Sequence, residues 1–212
     1  MKPILLYTMP RAKGTISLQQ CVKKIHLNEP FAHPYYTTFS TAQWQLLVEN
    51  MNNEDSCSKI HAYNLYNYRP SVEWYKSVLG IASHEIFVIE RRDRLNQLLS
   101  GILALHHGYT SSSMKRIDKI TIDETLIDRA YFIIEQHLKY YPTYGKVVSF
   151  ETLPTEFFNK ELKTGLEDQK SYLRHNCIIN IEWCKDALGI VLDFYKKDWD
   201  NKILSLDPTW EF

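Results

Sequence analysis

Residues 4–20, ILLYTMPRAKGTISLQQ, decide how the rest of the chain is read. A short apolar run, Ile4 to Thr8, ends at Pro10, and the turn that follows carries Arg11, Lys13 and Gly14. Ile16, Cys21, Val22 and Ile25 then recur at roughly helical spacing, which predicts a helix over residues 15–26. The order is strand, cationic turn, helix. The start of a helix offers unpaired backbone N–H groups and the positive end of its dipole, and Arg11 and Lys13 add full charges beside them. Such a turn either holds an anion or is a solvated basic turn.

The same alternation continues outward. NEPFAHPYYTTFS (28–40) is rich in Pro and aromatics and reads as a loop or edge segment, with Thr41 as the expected N-cap of a helix over AQWQLLVENM. KIHAYNL (59–65) reads as a strand, SVEWYKSVLGIA (71–82) behind Pro70 as a helix, and EIFVIE (85–90) as a strand. RLNQLLSGILALHHG (94–108) places Leu95, Leu98, Leu99 and Ile102 on one helical face and stops at Gly108. Asp123 is expected to cap a helix whose apolar face carries Leu126, Ile127, Ala130, Ile133, Ile134 and Leu138. KVVSFETL after Gly145 is a further short strand ending in an acidic turn. Short strands separated by helices predict an α/β fold with a parallel sheet covered on both faces. Right-handed crossovers bring the loops after each strand to one edge, where ligands of such sheets bind.

Composition narrows the class. A chain of 212 residues is long enough for one sizeable core, so a single domain over 1–212 is expected. With 44% apolar and 24% charged residues it is ordinary globular material. Lys and Arg (25) balance Asp and Glu (25), so there is no overall field to attract a polyanion, and nucleic acid is not an expected partner. No apolar run approaches the roughly 20 residues that span a bilayer, and the first residues lack a signal-peptide pattern. The expectation is a soluble cytoplasmic protein without membrane contact. Cys21, Cys57, Cys177 and Cys184 match no common zinc spacing and read as reduced thiols packed as small apolar groups.

The first turn is not an ATP-binding P-loop. That loop needs GxxxxGK[ST], whereas here Lys13 precedes Gly14 and no glycine comes earlier. PRAKGTIS instead resembles, without gaps, the P-[KR]-S-G-[ST]-T segment of sulfotransferases that use 3′-phosphoadenosine 5′-phosphosulfate (PAPS). In EIFVIERRDRLNQLLSG, Arg92 and Ser100 stand eight positions apart, as do the Arg and Ser that hold the donor's 3′-phosphate in that family. CSKIHAYNL resembles the family's K-x-H segment, VVSFETL its Y-E-D-L turn with Glu151 at the acidic position, and NCIINIEWCKDALG its late helix. These elements run in family order from residue 4 to about 190, and the chain is similar to small bacterial or viral members.

The resemblance implies a three-layer P-loop-like fold with a central parallel sheet and a sulfonyl transfer from PAPS, leaving 3′-phosphoadenosine 5′-phosphate (PAP), with no metal. It makes His61 the catalytic base, supported by Lys59, with Arg11 and the loop amides facing the leaving phosphate. Pro10, Arg11, Ala12, Lys13, Gly14, Thr15 and Ile16 form the 5′-phosphosulfate cradle, and Arg92 and Ser100 hold the 3′-phosphate. Read by itself, a lone His among apolar and aromatic residues, as His61 is, is more often a satisfied structural histidine. Lys13 stands where the family has glycine, and Ala12 lacks a hydroxyl. The family's late Gly-rich loop has no clear counterpart, and Arg174 or Lys170 is the stand-in. The acceptor is a small molecule or glycan bearing a hydroxyl or amine. Tyr35, Tyr36, Phe39, Tyr63, Tyr66 and Tyr68 either line its pocket or pack against helices. The alternatives are a nucleotide kinase, for which Glu90 or Glu151 would have to imitate a strand-end metal ligand, and a nucleotide-binding module without activity.

Overall fold

A computed structural model describes residues 2–8, 14–28, 39–61, 84–106, 119–159, 161 and 177–212. Pro10, Arg11, Ala12, Lys13, Lys170 and Arg174 lie outside them, as do the helix expected over 71–82 and Tyr35, Tyr36, Tyr63, Tyr66 and Tyr68.

The opening apolar run is a strand, β1 (Ile4–Thr8), with all five residues buried. It is buried because it is central: β3 (Ser56–His61) pairs with one side and β4 (Glu85–Glu90) with the other, both parallel. β2 (Ile25–Asn28) and β5 (Lys146–Ser149) are the edges, giving the order β2-β3-β1-β4-β5. Among the described residues all four strand pairings are parallel. Strands covered on both faces read as continuous apolar runs, whereas the edge strand β2 alternates half-buried with exposed.

Period-2 alternation sorts the core into two layers. Leu5, Tyr7, Ile60, Ile86 and Val88 face α2 (Thr41–Asn52), α3 (Arg94–His106), α4 (Glu124–Lys139) and α5 (Ile181–Leu206). Ile4, Leu6, Cys57, Phe87 and Ile89 face α1 (Gly14–Gln20) and the segment carrying Leu153 and Phe158. This is the expected three-layer α/β arrangement. α5 contributes a stripe of Cys184, Leu188, Val191, Tyr195, Trp199 and Ile203 at three- and four-residue spacing. Each such side chain contributes roughly 1.5–3 kcal/mol on burial. Asp123 caps α4 by accepting from the Leu126 N–H at 3.0 Å, and all six residues expected on its apolar face are buried. The four cysteines are free and buried, and among the described residues no helix is long and apolar enough to cross a membrane.

Three expectations are corrected. The helix expected over 15–26 ends at Gln20: the Cys21 backbone turns out to bridge Phe158, and Ile25–Asn28 joins the sheet as β2. Ser40, not Thr41, caps α2, in a capping box where its hydroxyl accepts from the Gln43 N–H and the Gln43 side chain accepts from the Ser40 N–H. The strand expected from Lys59 begins earlier, at Ser56.

Candidate functional site

The carboxyl ends of β1 and β3 meet at the point where the strand order reverses, with later strands crossing to the far side of β1. Thr8 and His61 are register partners there. Because side chains alternate, Cys57, Lys59 and His61 point to the α1 face of β3, as Thr8 does on β1.

The groups converge. His61 Nδ1 lies 3.0 Å from Thr8 Oγ1 and 3.3 Å from the Thr8 carbonyl oxygen. A carbonyl can only accept, so the Nδ1–H tautomer satisfies this pair of contacts and leaves the lone pair on Nε2. Nε2 is 3.5 Å from Lys59 Nζ, and that ammonium donates to Thr15 Oγ1 at 2.9 Å. Lys59 is 1% exposed, a position a lysine occupies only when its charge is satisfied. Gly14 makes this packing possible. A Cβ there would fall 2.7 Å from both Thr8 Cγ2 and Oγ1 and 3.0 Å from Lys59 Cδ, so α1 approaches β1 and β3 only through a residue without a side chain.

Of the residues expected in the site, the structure therefore brings together His61, Lys59, Gly14 and Thr15. Ile16 is buried in α1. Thr8 was not among the expected residues; the signal for it is the register of β1 on β3, which no local pattern carries.

Arg92 and Ser100 sit apart from this cluster, at the end of β4 and within α3. Asp93 accepts from the Asn96 N–H at 3.0 Å and starts α3, while the Arg92 N–H donates to Glu151 Oε2 at 3.4 Å. Glu151 also accepts from the Ser149 hydroxyl, which ties the turn after β5 to the turn after β4. The side chains of Arg92 and Ser100 have no hydrogen-bond partner among the described residues, and Arg92 is exposed. Phe39 packs edge-on against Trp44 of α2, with ring centroids 6.2 Å apart.

The opposite face of β4 carries a second polar group. Glu90 is 2% exposed, and its carboxylate accepts from the Tyr141 hydroxyl at 2.9 Å and from Trp199 Nε1 at 3.3 Å. His137 Nε2 lies 3.5 Å from Glu90 Oε1 without the alignment of a hydrogen bond. Burial, and then the neighbouring Glu90 carboxylate, push the Tyr141 phenol well above its ordinary pKa, so it stays a donor. Among the described residues no His, Cys, Asp and Glu side chains gather into a set of metal ligands. No family model matches the chain, and neither a curated protein nor a solved structure matches it.

Proposed function

We propose that the chain transfers a sulfonyl group from PAPS to a hydroxyl or amine of a small-molecule or glycan acceptor. One observation supports this reading: a lysine and a histidine two residues apart on β3 meet Thr8 and Thr15 at the carboxyl edge of a parallel sheet. Sulfonyl transfer spreads negative charge over the equatorial and leaving oxygens, so positioning and electrostatic stabilisation supply most of the rate. His61 takes the acceptor's proton on Nε2 while Thr8 holds the other ring nitrogen. Lys59 and the Thr15 hydroxyl stabilise charge on the leaving phosphate, together with Arg11 and Lys13 of the turn. A kinase reading is weaker, because Glu90, the strand-end carboxylate it would use for Mg²⁺, is engaged by Tyr141 and Trp199 on the other face of the sheet.

The test is release of PAP from PAPS in the presence of mixed phenol, sugar and amine acceptors. His61→Ala should lower transfer by about 10²–10⁴-fold with nucleotide affinity nearly unchanged. Unchanged transfer, loss of nucleotide binding in that variant, or displacement of the donor by ATP with Mg²⁺, would overturn the assignment.

A further inference from the structure

α5 is apolar on two sides. Its inner stripe, from Cys184 to Ile203, is buried in the core, whereas Trp183, Ile190 and Phe194 on its outward side are 42%, 67% and 72% exposed. Ile190 and Phe194 are the two most exposed large apolar side chains among the described residues. Spacings of seven and four residues put all three along one line of the helix. Tyr131 and Tyr195 meet the Phe194 ring edge-on, at 6.5 and 4.9 Å between centroids, and leave most of it uncovered. A single exposed apolar side chain needs no explanation, but an aligned set marks a surface that another molecule covers.

The charges beside this line point to what that molecule is. Asp186 and Lys197 stand eleven residues apart. That is close to three full turns, so both lie on one flank of the apolar line, roughly 16 Å from each other. Neither has an ion-pair or hydrogen-bond partner among the described residues, whereas Glu182 is paired with Lys185 and Lys196 with Asp200. Their midpoint falls between Val191 and Leu192, with Ile190 on one side of it and Phe194 on the other. A second copy of the helix turned end for end about that midpoint sets Asp186 against Lys197 twice and brings each Ile190 beside the opposite Phe194. A parallel copy would instead set Asp186 against Asp186 and Lys197 against Lys197. The pattern is therefore complementary to itself in the antiparallel orientation, the one a two-fold axis across the helices produces. Exposed ion pairs are weak, so the charges fix orientation and register while burial of the apolar line supplies the affinity.

We propose that the chain forms an antiparallel two-fold dimer through the outward face of α5, in which Ile190 and Phe194 of the two copies interleave and each Asp186 pairs with Lys197 of the other copy. This face shares no residue with the His61 cluster, so the dimer stands or falls apart from the sulfonyl-transfer reading.

The experiment is sedimentation equilibrium of the full chain from about 1 µM to about 1 mM. It compares the wild type with Phe194→Ser, Asp186→Lys, Lys197→Asp and the double variant carrying both charge reversals, with circular dichroism to verify folding. The wild type should pass from monomer to dimer within that range, and Phe194→Ser should weaken association about tenfold or more. Each single reversal should weaken it about three- to tenfold, more at low salt than at high, because two like-charged contacts replace two ion pairs. The double variant should return to within about twofold of the wild type, since reversing both charges restores both pairs. A wild type that stays monomeric throughout overturns the proposal, as does a dimer indifferent to Phe194→Ser. Single reversals without effect, or a folded double variant no tighter than the singles, overturn the antiparallel register and the proposal with it.

Discussion

Two polar clusters sit at the same edge of one sheet, on opposite faces, and they are built to different ends. Around Glu90 the set is fully buried: a phenol and an indole each give a hydrogen bond to a carboxylate that is 2% exposed, with His137 packed beside Trp199 at 5.2 Å between ring centroids. Around His61 the partners are a threonine and an ammonium, and the imidazole is only half-buried. A fully buried cluster resists unfolding, whereas one with a half-buried member can position a group for something that arrives.

Exchanging the damage between the two clusters tests that contrast most severely. His61→Ala should leave thermal stability within about 1 kcal/mol of the wild type while transfer falls by orders of magnitude, because a half-buried side chain leaves little cavity. Glu90→Ala should do the reverse, lowering stability by about 2–4 kcal/mol through two stranded buried donors, as read in urea unfolding, with the turnover of the folded fraction retained. Equal stability losses in the two variants would erase the distinction.

Gly14→Ala sharpens it on the His61 side. The added methyl group must displace Thr8 or the Lys59 stem, so about 1–3 kcal/mol of stability is lost and KM for the donor rises, measurable by calorimetry alongside steady-state kinetics. Thr8→Val is gentler. It keeps the shape and removes one oxygen from Nδ1, and ¹⁵N shifts of the His61 ring should show a larger share of the Nε2–H tautomer, with a roughly tenfold drop in turnover. An unchanged tautomer with unchanged turnover removes Thr8 from the site.

The smallest effect belongs to a third histidine. Burial holds the His84 imidazole below its ordinary value, and Nε2 meets the Met51 carbonyl oxygen at 3.0 Å. The folded state thus prefers the neutral ring and the unfolded chain takes up the proton first, so the stability His84 contributes is complete above about pH 6.5 and is lost as pH falls below it. Replacing His84 with Gln should flatten that slope in pH-dependent unfolding.

How much of this was legible follows from distance along the chain. β4 and the apolar face of α4 were readable because their patterns are local and long enough to show a period. β2 was not, because four residues that alternate half-buried with exposed mimic helical spacing, and only pairing with β3 makes them a strand. Lys59 and His61 fall on one face of β3 by simple alternation, so their shared direction was implicit in the sequence. Thr8 and Glu90 were different. Thr8 meets His61 through a strand register, and Glu90 meets Tyr141 and Trp199 through helices that return from far along the chain, so neither contact has a local signature.

The central place of β1 also sets a schedule for the chain as it is made. Among the described strands it is the one whose two sides must wait longest: Ile4 meets Cys57 on one side and Glu85 on the other. At about 5–20 residues per second of synthesis, an apolar strand with both hydrogen-bonding edges open is presented to the cell for several seconds before β4 can close it. Until then Ile4 to Tyr7 offer an unpaired apolar edge of the kind that drives association between unfinished chains.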